Sequence, residues 1–292
     1  MKDSKQVTIV GCGLLGGSIA LALRRAGFAG KITACGGTRG PRIAVERGIA
    51  DAIEESFANG EQCQSDLLFL AAPIGGIINF LKSHSQQIRP GAIVTDAGST
   101  KVEICRVAKE SLPPAVKFIG GHPMAGSEHT GIEYARAELF TGATWALMET
   151  GDAEALVQLT ALIESFGARP LITQPEQHDF SVALISHLPQ LVASSLADLL
   201  NTENSELARR LAATGWRDMT RLAGSSWSVW RDIVLTNQPN ISEAIQQLIN
   251  ELLGIKEALD TRDFNRVREL FSTANDSVEK QRALHYQPFQ KL

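Results

Sequence analysis

The segment at 120–126, Gly-Gly-His-Pro-Met-Ala-Gly, places one histidine among residues that favour turns. Histidine is the side chain whose ordinary pKa lies nearest to neutral pH, so a positioned His122 could accept a proton from a bound molecule. The glycines and Pro123 around it favour a rigid loop over a helix or a strand. The same residues would also fit a simple turn that carries a solvated histidine on the surface.

A glycine motif near the N-terminus predicts a dinucleotide site. Its pattern, GxGxxG at 11–16, follows a predicted strand at 6–10 and opens a predicted helix at 14–26. In that context the glycines allow a tight turn and a close approach of the backbone to a pyrophosphate at the helix N-terminus. A glycine-rich turn that serves only packing is the alternative. The expected cofactor contacts, here and after the strand predicted at 66–71, are Gly11, Gly13, Leu14, Leu15, Gly16, Ala72 and Pro73.

The end of the second predicted strand favours NADP over NAD as the cofactor. An NAD site usually has an acidic residue there, which binds the 2′-hydroxyl of the ribose. In this chain Gly37, Thr38 and Arg39 follow the strand, and no carboxylate occurs before Glu46. The threonine hydroxyl and the guanidinium groups of Arg39 and Arg42 suit a 2′-phosphate. The two arginines could instead merely solvate a loop.

Two further segments carry side chains that could hold a substrate. Ser99 follows the strand predicted at 92–96, at the carboxyl end of the sheet, where ligands of open α/β sheets bind. Capping of the next helix is an alternative role for Ser99. Arg217 and Arg221 are four residues apart, so on a helix they would share a face and could bind a carboxylate. Arginines in this arrangement are also common on solvated helix faces.

The composition of the chain bounds the classes of protein that it can belong to. With 292 residues, 44% of them hydrophobic, it is long enough for two domains with substantial cores. The net charge of −4 argues against a nucleic acid partner. The polar N-terminus and the absence of an apolar run of membrane-spanning length predict a cytoplasmic protein without a membrane partner. The four scattered cysteines predict buried, reduced thiols and no metal site.

The two halves of the chain have different patterns. Up to about residue 172, short β-branched runs alternate with amphipathic stretches, which predicts a doubly wound, Rossmann-type parallel sheet. From Pro175 onward, apolar residues recur at three- and four-residue spacing, which predicts an all-α domain. We therefore expect a dinucleotide-binding domain at 1–173 and a helical substrate and dimerisation domain at 174–292.

Six short segments occur along the chain in a fixed order. They are GCGLLGGS at 11–18, DAGSTK at 96–101, GGHPMAGSEHTG at 120–131, SHLPQ at 186–190, GWRDMTR at 215–221 and WRDI at 230–233. Together they resemble the prephenate and arogenate dehydrogenase family of tyrosine biosynthesis. The resemblance implies NAD(P)-dependent oxidative decarboxylation of a small cyclohexadienyl acid by a homodimer. The substrate would be prephenate, giving 4-hydroxyphenylpyruvate, or arogenate, giving tyrosine.

The resemblance also implies roles for individual residues. His122 is similar to the family histidine that accepts a hydrogen bond from the substrate hydroxyl, and Ser99 to the serine that helps to hold it. Arg221 resembles the arginine that binds a substrate carboxylate, and Arg217 is the alternative residue for that contact. His187 matches a histidine near the site, although a core histidine would fit the same position. The matches at the entrance and the pocket wall are Glu128, Asp218 and Trp230.

Two other kinds of protein with this domain order are disfavoured. A β-hydroxyacid dehydrogenase would use a catalytic lysine in its helical half, but the chain has none between Lys117 and Lys256. A non-catalytic NAD(P)-sensing protein would lack a competent His122 and Arg221, and both are present. Some family members carry a second histidine where this chain has Gln190, so gating by that histidine is not expected here. Feedback by tyrosine would have to act at the active site.

Overall fold

The computed structural model describes residues 5–126, 130–149, 151–203 and 205–286. Its main sheet has six parallel strands in the order β3-β2-β1-β4-β5-β6. The order reverses between β1 and β4, which is the point where dinucleotides bind in sheets of this kind. The predicted Rossmann-type sheet is confirmed. Its strands are β1 (Gln6–Val10), β2 (Lys31–Cys35), β3 (Ala52–Ile53), β4 (Leu67–Leu70), β5 (Ile93–Asp96) and β6 (Lys117–Ile119).

Strand β4 shows why this sheet forms in the middle of a layered core. All four of its residues are buried, and they alternate between the two faces. Leu67 and Phe69 belong to one hydrophobic cluster, whereas Leu68 and Leu70 belong to the other. Each such side chain contributes about 1.5–3 kcal/mol through burial, and a parallel sheet gains this on both faces. The helices of this half are α1 (Leu14–Arg25), α2 (Arg39–Glu46), α3 (Ser56–Asn59), α4 (Ile74–His84), α5 (Val102–Ser111) and α6 (Ala153–Ser165).

A second, three-stranded sheet carries the histidine segment, and here the sequence prediction was wrong. The structure places His122 in a short strand, β7 (Gly121–Pro123), rather than in a loop. Strand β7 pairs antiparallel with β8 (Thr144–Met148), which pairs parallel with β9 (Arg169–Thr173). Because β7 is an edge strand, Pro123 is tolerated there despite its missing N–H group. Cross-strand pairing thus overrides the turn-forming preference of the flanking glycines.

The helical half begins with a segment that the sequence predicts as one helix over 176–200. The structure divides it into α7 (Pro175–Val182), a π-helical turn (Ala183–His187) and α8 (Leu188–Thr202). Pro189 has no N–H group and would clash with the preceding turn of a regular helix, so a local widening relieves the clash. As a result His187 lies at the end of an irregular turn, which is a common position for a functional side chain.

The remaining helices are α9 (Glu206–Leu211), α10 (Thr214–Thr220), α11 (Trp227–Asp260) and α12 (Phe264–Tyr286). Helix α11 contains Pro239 and departs from helical geometry at Asn237, where φ is −126°. The sequence predicts two separate helices here, at 226–236 and 240–260. The structure has a kink between them instead, because Pro239 interrupts the regular helical hydrogen bonds. The chain divides into two compact units, one ending at Ile241 and the other beginning at Ser242. The domain boundary near residue 173 stays a prediction.

The unit that begins at Ser242 is helical and leaves an apolar surface exposed. It consists of the later part of α11 together with α12. Helices of a soluble protein that expose this much apolar surface commonly bury it against a partner. The exposed side chains are Ile249, Leu252, Leu253, Leu259, Phe264, Phe271 and Val278.

One helical stretch, Pro175–Thr202, meets the length and composition criteria for a membrane span, with a mean hydropathy of 1.4. The sequence prediction that no apolar run reaches that length is therefore corrected. The stretch contains buried polar side chains that bond within the protein, among them Asp179 and Gln190. Core helices of soluble proteins meet the same criteria, so this is weak evidence of a span. The cytoplasmic location and the absence of a membrane partner stay predictions.

Candidate active site

The glycine-rich turn after β1 brings three chain segments into contact. Gly11 has a φ of +93°, and its N–H donates to the carbonyl oxygen of Cys35 at 2.8 Å. A Cβ on Gly11 would lie 2.7 Å from the nitrogen of Ala72, and one on Gly16 would lie 2.1 Å from the Gly11 carbonyl oxygen. Gly13, by contrast, has open space at its Cβ position and precedes the first turn of α1. The outer glycines are needed for backbone packing, and the middle one leaves room for a pyrophosphate.

A groove of about 600 Å³ opens beside this turn, at the switch point of the sheet. Leu14, Leu15 and Gly16 lie in the first turn of α1, next to the groove. The groove continues into a cavity of about 330 Å³ at the end of β2. Of the predicted cofactor residues, those that line the groove are Gly11, Gly13, Gly37, Ala72 and Pro73. Helix α4 adds lining residues that the sequence did not single out: Asn79, Phe80, Ser83 and His84.

The residues expected to discriminate between NAD and NADP lie at the start of α2. Thr38 is the N-cap of this helix, and Arg39 is its first residue. The Arg39 side chain is 76% exposed and pairs with Glu133 at 2.5 Å. Arg42 forms an ion pair with Glu46 one turn further along the same helix. Both guanidinium groups are thus at the surface, held only by exposed or half-buried carboxylates.

A buried ion pair fixes the backbone beside His122. The Gly121 N–H donates to Oδ1 of Asp96 at 3.0 Å, and Nζ of Lys101 donates to the Gly121 carbonyl oxygen at 2.7 Å. Lys101 also pairs with Asp96, and both side chains are fully buried. The pair therefore ties the end of β5 to β7. Ser99, which is half-buried, lies between these two residues in sequence, after the carboxyl end of β5 to which the pair ties the strand of His122.

Two side chains of α7 form a chain of hydrogen bonds that begins at His122. Nδ1 of His122 lies 2.9 Å from Nε2 of His178, and Nδ1 of His178 lies 2.8 Å from Oδ1 of Asp179. The Asp179 carboxylate also accepts the backbone N–H groups of Lys101 and Val102, at 2.7 and 2.9 Å. Asp179 therefore binds the N-terminus of α5 as well as the histidine. His178 and Asp179 are both buried.

His122 is held in its neutral form by its surroundings. Burial, the nearby rings of His178 and His187 and the positive charge of Lys101 together lower the pKa of His122 well below its usual value. Burial is the largest of these causes. A histidine with a lowered pKa is neutral at physiological pH, so one of its ring nitrogens carries a lone pair that can accept a proton.

His187 belongs to a second buried cluster beside the first. Burial lowers its pKa to about 4. Its Nδ1 lies 3.2 Å from Nδ2 of Asn237, which also donates to the carbonyl oxygen of Asp179 at 2.7 Å. The ring of Trp230 meets His187 edge to face, with the centroids 5.8 Å apart. The non-helical geometry of α11 at Asn237 thus coincides with a side chain that joins α11 to α7.

The expected carboxylate-binding residues lie at the surface of the same unit. Arg217 and Asp218 are in α10, and Arg221 caps its C-terminus. All three are exposed, and within the described part of the chain none of them has a salt bridge. Buried Gln190 donates to the carbonyl oxygen of Leu222 at 2.8 Å, which anchors the segment that follows α10. Glu128, the remaining expected entrance residue, lies outside the described residues.

Sequence reasoning missed four polar residues around His122: Lys101, His178, Asp179 and Asn237. Lys101 ends a segment that the sequence did single out, but a lysine there gives no sign of being buried. The adjacent pair His178-Asp179 lies just after the start of the helical half and was the one available signal. Its partner His122 is 56 residues away in sequence, so only the fold brings the two histidines together.

The cysteines supply no evident chemistry to this site. All four thiols are free, and burial raises the pKa of both Cys12 and Cys105 to about 12. Burial also raises the pKa of Cys35 above its usual range. The thiols of Cys12, Cys35 and Cys105 are therefore protonated and unreactive at neutral pH. Within the described ranges, no three His, Cys, Asp or Glu side chains form a group that could hold a metal ion.

Comparison with known families matches both parts of the chain. Residues 19–172 match the family described as prephenate dehydrogenase, nucleotide-binding domain. Residues 174–273 match the family described as prephenate dehydrogenase, dimerization domain. A prephenate dehydrogenase from Bacillus subtilis (strain 168) is 34% identical over 285 residues, which cover 94% of this chain and 75% of that protein.

Two solved structures share the fold over almost their whole length. The prephenate dehydrogenase of A. aeolicus, in complex with hydroxyphenyl propionate and NAD+, is 32% identical, with a TM-score of 0.86. The match covers 94% of this chain and 98% of that one. The arogenate dehydrogenase of Synechocystis is 29% identical, with a TM-score of 0.83, over 94% of this chain and 99% of that one.

Proposed function

Because the chain belongs to the prephenate dehydrogenase family, we propose that it oxidatively decarboxylates prephenate to 4-hydroxyphenylpyruvate with NAD(P) as the oxidant. The observation that carries the proposal is the position of His122: Asp96 and Lys101 tie its strand, β7, to the carboxyl end of β5, in the sheet whose switch point forms the dinucleotide groove. The glycine turn fits the cofactor, since side chains at Gly11 or Gly16 would block the backbone packing that shapes it. Arogenate is the alternative substrate.

His122 is the proton acceptor in this proposal. When bound, NAD(P)+ accepts a hydride from the carbinol carbon of the substrate. Nε2 of His122 takes the hydroxyl proton as the C–O bond becomes a carbonyl. The bond to the ring carboxylate then breaks, carbon dioxide leaves, and the electron pair makes the ring aromatic. His122 returns its proton to the phenolate oxygen, so the reaction consumes no net proton.

The other site residues bind and orient the substrate. We assign Ser99 to the same hydroxyl as His122, because Ser99 lies in sequence between Asp96 and Lys101, the two residues that hold the backbone next to His122. Arg221 is assigned to a substrate carboxylate, with Arg217 as the alternative. If this arginine binds the carboxylate that leaves as carbon dioxide, it binds the product more weakly than the substrate, which favours product release. We also assign Trp230 and His187 to the pocket wall and Asp218 to the entrance. Glu128, which lies outside the described residues, is assigned to the entrance by the resemblance alone.

Initial rates with each substrate test the activity. Prephenate and arogenate, each with NAD and with NADP, give four combinations in which NAD(P)H formation is followed by absorbance. We expect turnover with at least one substrate and a higher kcat/KM for prephenate. A higher kcat/KM for arogenate would replace the assigned substrate within the same chemistry. No NAD(P)H formation in any combination would overturn the proposed enzyme.

We further propose that the enzyme prefers NADP. No acidic residue follows β2 directly in the sequence, Glu54 and Glu55 line the cavity at its end, and Thr38 and Arg39 stand at the start of α2. A 2′-phosphate would have to displace Glu133 from Arg39. Exposed ion pairs contribute little to stability, and a charge-assisted bond to a phosphate is stronger, so the exchange is favourable.

The variant Arg39→Ala should lower kcat/KM for NADP by about tenfold or more and leave the value for NAD nearly unchanged. Removal of the guanidinium costs a contact that only the 2′-phosphate can use. Arg47→Ala is the matched control, because Arg47 is exposed at the other end of α2. If the wild-type enzyme has the higher kcat/KM with NAD, the proposed preference is wrong.

The matched dimerisation domain supports a homodimer. The apolar surface described above for the unit that begins at Ser242 is a candidate for part of the contact, since a second copy could bury it. Small-molecule substrate and cofactor are the partners that the site requires.

A further inference from the structure

The proposed reaction uses His122 but leaves open which of its ring nitrogens faces the substrate. A neutral imidazole carries a proton on one nitrogen and a lone pair on the other. To accept a hydroxyl proton at Nε2, His122 must carry its own proton on Nδ1. The partner of Nδ1 is Nε2 of His178, at 2.9 Å, so the protonation of His178 decides the form that His122 adopts.

Asp179 determines the protonation of His178. Its carboxylate already accepts two backbone N–H groups at the start of α5 and can only accept from a ring nitrogen. Nδ1 of His178, at 2.8 Å, must therefore carry a proton. In a neutral His178 the other nitrogen, Nε2, then has the lone pair. That lone pair accepts from Nδ1–H of His122 and leaves Nε2 of His122 free as an acceptor.

We infer that His178 is a positioning residue, which together with Asp179 holds His122 as the Nδ1–H tautomer and directs its Nε2 lone pair to the substrate. The inference rests on the proposed function for its catalytic consequence, whereas the tautomer itself is a property of the free protein. After His122 has taken the substrate proton, its Nδ1–H remains bonded to His178, with the Asp179 carboxylate behind it.

The rigidity of the surrounding elements supports this role. Asp179 is held by α5 through its carboxylate and by Asn237 through its carbonyl oxygen. The rings of His122 and His178 meet nearly edge to face, with centroids 5.1 Å apart and planes at 71°. His178 and Asp179 are each at most 5% exposed, so water cannot easily replace either partner. An imidazole fixed in this way loses little entropy when the substrate binds.

The tautomer of His122 is measured directly by NMR on protein with 15N-labelled histidine. Protonated and bare ring nitrogens have well-separated 15N shifts, and the His122 signals are identified by their loss in His122→Asn. We expect Nδ1 of His122 protonated and Nε2 bare at neutral pH, without substrate. A His122 that carries its proton on Nε2, or on both nitrogens, would overturn the inference.

Two variants of His178 separate positioning from mere structural support. Asn at this position can still donate to Asp179 but is too short to reach His122, whereas Gln can place its Oε1 close to the original Nε2. His178→Asn should lower kcat by about 100-fold or more, with KM changed little, and release the His122 tautomer. His178→Gln should keep the tautomer and most of kcat. Equal kcat values for the two variants would contradict the role.

The two failures are distinguishable. If the wild-type protein turns over neither prephenate nor arogenate, the proposed function fails. The NMR measurement without substrate still decides the tautomer of His122. If His178→Asn does not fold, the wild-type spectrum and the His178→Gln variant still decide the inference. If both variants fold and the tautomer of His122 is unchanged in His178→Asn, His178 does not position it.

Discussion

Replacement of His122 by asparagine is expected to lower kcat by about two to four orders of magnitude, the usual effect of removing a general base. Asparagine is close to histidine in volume near the backbone, but it has no ring nitrogen that can take the hydroxyl proton. Strand β7 pairs with β8 through backbone atoms, which the substitution leaves in place, so the two strands should remain paired. The loss should therefore appear in the chemical step and not in folding.

The measurement is the rate of NAD(P)H formation with both substrate and cofactor saturating. Cofactor affinity, read from the quenching of protein fluorescence, and the thermal unfolding temperature serve as controls, and both should change little. Retention of more than about a tenth of the wild-type kcat would exclude His122 as the proton acceptor. A normal kcat with a raised KM would move its role to substrate binding.

The pH dependence follows from the direction in which the pKa of His122 is shifted. Burial, the rings of His178 and His187 and the positive charge of Lys101 lower that pKa well below its usual value. The acceptor is therefore neutral, and competent, at all pH values above its lowered pKa. We expect kcat/KM to stay level from neutral pH down past the ordinary histidine pKa and to decline only in more acidic solution. A decline centred near the ordinary value would show that the group is not shielded in this way.

Much of the fold could be predicted because its signals are local. The strand–glycine turn–helix pattern at 6–26 and the alternation of β-branched runs with amphipathic stretches each report on nearby residues. The position of His122 in a strand could not be predicted in the same way. It depends on pairing with Ala146, on a strand 24 residues further along, and on the clamp that Asp96 and Lys101 place on Gly121.

The candidate site shows the same division between local and long-range signals. The glycine turn and the histidine segment were evident as motifs, and the resemblance to a family suggested Ser99 and Arg221. The buried residues around His122 were not evident in the sequence, because the type of a residue does not show that its side chain is buried and hydrogen-bonded. Asp179 is adjacent to His178 in sequence, yet its carboxylate binds backbone groups 78 and 77 residues away. Asn237 is similar, since its side chain reaches the Asp179 carbonyl oxygen across 58 residues.

The buried pair of Lys101 and Asp96 should dominate the stability of this region. Removing one partner of a fully buried ion pair typically costs about 3–5 kcal/mol, because the other charge is left uncompensated in a medium of low polarity. Both side chains are 0% exposed. Lys101→Met keeps the length and the apolar stem of the side chain but removes its charge and its bond to the Gly121 carbonyl oxygen. We expect this variant to lose that much free energy of unfolding.

Urea unfolding at neutral pH, followed by circular dichroism, measures the loss. Lys117→Met is the matched control, since the Lys117 ion pairs with Asp152 and Glu154 are at the surface and screened by water. That control should leave the free energy of unfolding nearly unchanged. Adding Asp96→Asn to Lys101→Met should restore part of the stability, because it removes the stranded carboxylate while keeping one acceptor oxygen. If Lys101→Met is no less stable than Lys117→Met, the buried pair does not hold the two sheets together.

The same variant connects stability with catalysis. The Gly121 carbonyl oxygen would lose its bond to Lys101, while the Gly121 N–H would keep its bond to Asp96. His122, the next residue, would then be held on one side only, and its distance to a bound hydroxyl would vary. At a temperature where Lys101→Met is still folded, kcat should therefore fall as well, by more than in Lys117→Met, because small displacements of a proton acceptor are costly. A folded Lys101→Met enzyme with the full wild-type kcat would show that the clamp stabilises the protein without positioning His122.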